Sequence, residues 1–79
     1  MYPRVKSVVA HPNYHLEIIF DNGERRDFDV SPYLDKGIFT ELKDESYFKL
    51  VRASMGTVEW PHGQDFCPDM LFEESKVFA

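Results

Sequence analysis

The chain carries one cysteine, Cys67, among 79 residues. A single thiol closes no internal disulfide, and small secreted domains are usually stapled by several. The absence of a pairing cysteine also removes the common structural zinc patterns. Cations are scarce: nine Lys and Arg stand against fourteen Asp and Glu, giving a net charge of −5 and a pI near 5.0. The basic residues are scattered, and the only adjacent pair, Arg25 and Arg26, is followed at once by Asp27 and Asp29. Phosphate backbones and anionic lipid surfaces reward clustered Lys and Arg, so direct binding to nucleic acid or membrane is not expected. No run approaches a membrane span, and the opening MYPRVKSVVAHP lacks the apolar core of a signal peptide. A reducing cytoplasm is the expected setting. No glycine-rich phosphate loop, nucleophile elbow or dinucleotide fingerprint occurs, so no cofactor is expected.

What is present is a rich set of rings. Seven Phe, four Tyr and one Trp make 15% of the chain aromatic, and 43% is hydrophobic. Large rings bury much area per residue, which suits a single small domain over residues 1–79. A core of this size leaves only a few kcal/mol, so a monomer and a weak homodimer are both compatible.

The periodicity predicts an α+β fold. Val5 to Ala10 is a β-branched run closed by His11-Pro12-Asn13. Tyr14, Leu16, Ile18 and Phe20 then alternate with polar residues, a period of two broken only by Ile19 on the outer face. Asp21-Asn22-Gly23 closes a hairpin. A two-residue turn would set Leu16 opposite Asp29. A three-residue loop with Gly23 left-handed sets Leu16 opposite Phe28, Tyr14 opposite Val30 and Ile18 opposite Arg26, and this register is preferred. On the other face it pairs His15 with Asp29 and Ile19 with Arg25. Ser31-Pro32 reads as a capped start of a short helix that buries Tyr33 and Leu34, with Ile38 and Phe39 continuing the contact. Asp44 caps a second helix with Tyr47, Phe48 and Val51 inward. Ser54 to Trp60 reads as one strand around Gly56, and Pro68 to Glu74 as a final helix with Met70 and Leu71 inward. The order is β-β-β-α-α-β-α, a small antiparallel sheet of about four strands with short helices on one face.

The run from Trp60 to Ser75, WPHGQDFCPDMLFEES, holds the only Trp and the only Cys among rigid turns and carboxylates. Trp60, His62, Asp65, Cys67 and Asp69 are therefore the candidate binding residues, with no catalytic or metal set assigned. Cys67 at a helix start, with His62 as base and Asp65 as orienter, has the composition of an activated nucleophile. Asp65 and Asp69 bracket the thiol, however, and like charge disfavours a thiolate. His62, Asp65, Cys67, Asp69 and Glu73 include enough donors for a metal but match no zinc or calcium spacing. Trp60 before Pro61 is either a stacking platform or the ring that closes the open end of the sheet, and a small core favours the second.

The segments YPRVKSVVAHPNYHLEIIFDNGE, SPYLDKGIFTELKD, VRASMGTVEWPHG and QDFCPDMLFEES together resemble the small bacterial family known as domain of unknown function 2442. The resemblance implies a free-standing α+β domain and assigns no catalytic residue. Because some members are encoded beside another small protein, it also implies a toxin–antitoxin-like pair. Three functions follow. The first is a non-catalytic protein-interaction domain whose partner comes from an adjacent gene, an acidic chain masking a basic surface. The second is a small enzyme or a ligand- or metal-binding protein using Trp60–Glu73. The third is regulation of DNA through a partner that carries the DNA-binding part.

Overall fold

In the computed structural model, which describes residues 2–77, the chain forms two antiparallel sheets with short helical segments on one side. Strands β1 (Val5–His11), β2 (His15–Phe20) and β3 (Arg25–Asp29) form a meander. The β2–β3 register matches the apolar pairing: Leu16 faces Phe28, Ile18 faces Arg26, His15 faces Asp29 and Ile19 faces Arg25. Val30 N–H donates to Tyr14 O at 2.9 Å, continuing it. Gly23, at φ 90°, supplies the left-handed step that the three-residue loop requires.

Leu16, Ile18, Phe20, Phe28 and Val30 are fully or almost fully buried, so one sheet face is core. Arg26 shares that face with them. Its guanidinium lies 3.8 Å from the Phe72 ring centroid. It donates to Phe72 O at 3.0 Å and Ser75 O at 3.4 Å, and pairs with Glu24 at 2.8 Å. The cation thus satisfies carbonyls at the end of the last helix, where positive charge is favoured.

Five expectations are corrected. Ser31 is not the cap of its helix: Asp29 accepts from the Ser31 N–H at 2.9 Å and from its hydroxyl at 2.6 Å. The segment there is a single 3₁₀ turn, Ser31–Tyr33, and a second 3₁₀ stretch covers Gly37–Lys43. Ile38 points outward at 64% exposure while Phe39 packs inward. The expected strand Ser54–Trp60 is a hairpin, β4 (Arg52–Ser54) and β5 (Thr57–Glu59), turning at Met55-Gly56 with both φ angles positive. Two left-handed residues in a two-residue loop match the twist of a tight hairpin. The fourth strand of the main sheet is instead β6 (Lys76–Val77), which pairs with β3 and gives the order β1-β2-β3-β6. Finally, the His15 ring turns from its cross-strand neighbour Asp29 to Asp27, at 2.8 Å.

Asp44 caps α1 (Glu45–Phe48) through the Ser46 N–H at 2.9 Å, and α2 spans Pro68–Glu74, both as the sequence indicates. Between the helices and the sheet, Phe66 is the hub of the core. It stacks on Phe39 at 4.8 Å and meets Phe28 at 5.2 Å, Tyr33 at 5.3 Å and Trp60 at 6.0 Å, mostly edge to face.

Candidate functional site

The loop after β5 is built around Trp60, which has no exposed surface. Its indole N–H donates to Phe48 O at 2.9 Å, so the ring closes the core and is no open platform. Trp60 N–H donates to Gln64 O and Gly63 N–H to Trp60 O, each at 2.9 Å, with Gly63 at φ 94°. This tight turn lifts His62 into solvent and drives Gln64 inward, to 2% exposure. A buried amide must find partners, and Gln64 finds three. Its Nε2 donates to Ile38 O at 3.2 Å and Glu41 Oε1 at 2.8 Å, and its Oε1 accepts from the Tyr47 hydroxyl at 2.7 Å.

Glu41 joins the same network from the 3₁₀ stretch: its second oxygen lies 2.6 Å from His62 Nδ1. A carboxylate only accepts, so Nδ1 carries the proton. That hydrogen bond is the main cause holding the Glu41 carboxyl below its ordinary value, against a smaller opposing effect of burial, with Gln64 and the His62 charge adding to the lowering. The His62 ring leans on Tyr47 at 5.1 Å, and His62 N–H donates to the Tyr47 hydroxyl at 2.9 Å. An imidazole oriented by a carboxylate is part of a nucleophilic triad. Among the described residues, however, no hydrogen bond joins His62 to Cys67. Cys67 is exposed at the N-cap position of α2, with no side-chain capping bond. Asp65 is exposed and forms an isolated antiparallel bridge with Glu59, and Asp69 is exposed in the first turn of α2. Of the five candidates, the structure thus places Trp60 in the core, His62 in a structural network, and the other three on the surface. No group of three metal-ligating side chains occurs among the described residues.

A second feature was not singled out in the sequence. His11, Pro12, Tyr14, Glu45, Phe48 and Lys49 line a hollow of about 70 Å³ that opens to solvent. Its rings are Tyr14 and Phe48, edge to face at 5.3 Å. Asn13 and Tyr14 both have positive φ, 65° and 64°. For a bulky residue such a conformation costs roughly 1–2 kcal/mol; the Tyr14 carbonyl accepts from the Val30 N–H and its hydroxyl donates to Lys43 O, which hold it. His11 at its rim bonds Glu17 at 2.9 Å, which also meets Arg25 at 3.5 Å.

The sequence signal for this hollow is faint: the corner His11-Pro12-Asn13 and the α1 residues that complete it, Glu45, Phe48 and Lys49, lie in distant segments with no shared motif or period. The signal for the Gln64 network was fainter still, since Glu41, Tyr47 and Gln64 lie in different segments.

The family model described as protein of unknown function (DUF2442) matches residues 5–77. No curated protein and no solved structure matches.

Proposed function

The chain belongs to the DUF2442 family, and from that premise we propose that it is a non-catalytic, cytoplasmic protein-interaction domain, one half of a toxin–antitoxin-like pair whose other half is the product of a neighbouring gene. The observation that carries the reading is its exposed apolar surface. Met55 is 87% exposed, Leu50 55% and Val9 54%, and Leu50 directly follows Lys49, which lines the hollow with Tyr14 and Phe48. Exposed apolar side chains and a ring-lined hollow on one flank are what an interface core needs before its partner arrives. Co-expression with the neighbouring gene product is expected to give a complex that survives gel filtration at micromolar concentration. Two separate peaks would defeat the reading.

A second reading keeps the Trp60–Glu73 segment as an enzyme or ligand site, favoured by the Glu41–His62 pair at 2.6 Å. It predicts that His62→Ala abolishes an activity while leaving the fold intact. The network around Gln64 gives His62 a structural task already, so the interaction reading is preferred.

A further inference from the structure

Four of the nine basic residues that look scattered in sequence lie on one side of the fold. Two runs, residues 4–11 (RVKSVVAH) and residues 49–56 (KLVRASMG), hold four of the nine basic residues and none of the fourteen acidic ones. The fold lays these runs side by side. At one end Val5 N–H donates to Gly56 O at 3.0 Å, and Arg4 Nη2 donates to Met55 O at 2.7 Å. At the other end His11 and Lys49 line the same hollow. In between, β4 lies against β1 in the opposite sense. The exposed apolar residues Val9, Leu50 and Met55 all sit on these two runs.

We propose that this flank, from Met55 to the hollow at Lys49, docks an acidic segment of the partner protein that carries an apolar anchor side chain. This rests on the interaction reading and adds the surface and the partner's charge. The whole-molecule charge of −5 favours a basic partner, but fields between exposed charges fade over about 8 Å at physiological salt, so the local set decides at contact. Lys6 and Lys49 have no ion pair among the described residues. Nearby carboxylates are mostly engaged: Glu59 by Arg52 at 2.8 Å, Glu17 by His11 and Arg25, and Asp21 by the Arg4 N–H at 3.2 Å. Glu45 on the rim, and Asp21, whose charge a backbone N–H leaves in place, oppose the pattern. The hollow, about 70 Å³, is well below the size of small-molecule sites and takes only the tip of one apolar side chain against Tyr14 and Phe48. Nucleic acid, the other polyanion, offers no apolar anchor for Val9, Leu50 and Met55.

The probe is a capped peptide, acetyl-Asp-Glu-Leu-Asp-Phe-Asp-Glu-amide, titrated into the labelled full chain and followed by amide NMR. Shifts are expected at residues 4–11 and 45–56. Lys6→Glu with Lys49→Glu is expected to weaken binding at least about tenfold, and Leu50→Ser separately by several-fold. No shifts, shifts confined to other surfaces, equal binding of a Lys/Arg version of the peptide, or tighter binding of duplex DNA to the flank would each overturn the proposal. Failure of the parent reading shows differently. If no complex forms with the neighbouring gene product, that reading falls. If a complex forms and Leu50→Ser and Lys49→Glu leave its affinity unchanged, the complex stands and the flank falls.

Discussion

Replacing Gly56 by Ala isolates the contact that pins β4 to β1. Gly56 sits at φ 82°, and a Cβ built there would lie 2.1 Å from Arg4 Nε, 2.6 Å from Nη2 and 2.7 Å from Cζ. Those atoms end a flexible side chain, so the guanidinium moves rather than the backbone. What is lost is the Arg4 bond to Met55 O at 2.7 Å, worth about 0.5–1 kcal/mol at an exposed site. Left-handed strain on the new Ala adds about 1 kcal/mol. The expected cost is therefore about 2 kcal/mol. For a domain of this size that is a fall in Tm of about 8–16 °C, read by thermal melts monitored by circular dichroism. The clamp makes a sharper claim: in an Arg4→Ala background the same substitution costs only the strain. The double-mutant cycle is expected to show a coupling of about 0.5–1 kcal/mol. Equal costs in both backgrounds would refute the reasoning, because the Cβ would then be meeting something other than Arg4.

Four further outcomes follow from the core and surface. Phe66→Ala, which empties the centre of the ring cluster, is expected to cost about 3–5 kcal/mol, most of the stability of a 79-residue domain, so denaturant titration should find it largely unfolded and Phe66→Leu folded. Trp60→Phe removes the indole donor and leaves Phe48 O only its longer bond from the Val51 N–H at 3.3 Å, expected to cost about 0.5–1.5 kcal/mol by the same titration. Cys67→Ser is expected to change stability by less than about 0.5 kcal/mol, and the native thiol to label readily, because the side chain is exposed. The Glu41 carboxyl is held below its ordinary 4.5 by His62. Asp29 ends below 3.8 because, although burial pushes it up, its bonds from Ser31 outweigh that. Folded values below unfolded ones mean stability that is present above the unfolded value and lost as pH falls through the folded one. Melts between about pH 5 and pH 3 should therefore decline, and less steeply for Glu41→Gln.

The β2–β3 register was legible because its residues alternate cleanly and a one-residue slip would have buried Asp27 and Asp29. Asp44 and Pro68 were legible because caps act through their own side chains and rings. The β4–β5 hairpin was hidden. Each strand has three residues, and one turn position is Met55, a residue with no turn preference whose left-handed φ is enforced from outside by Arg4 and Val5. Strand β6 was hidden because two residues carry no period; its place is set by Arg26 drawing the end of α2 onto β3. In the candidate region, the core role of Trp60 was readable from its size. The partners of His62 were not, since Glu41 is twenty-one positions away, and nothing local marks Gln64 as buried. The flank was invisible for the same reason: each acid-free run is short, and only the packing of β1 against residues 49–56 brings the four cations to one side.

Hydrogen–deuterium exchange on the chain alone and in complex with the neighbouring gene product tests the account most directly. New protection over residues 4–11 and 45–56 is the predicted result. Protection confined to the Trp60–Ser75 region, with the flank exchanging as freely as before, would contradict it.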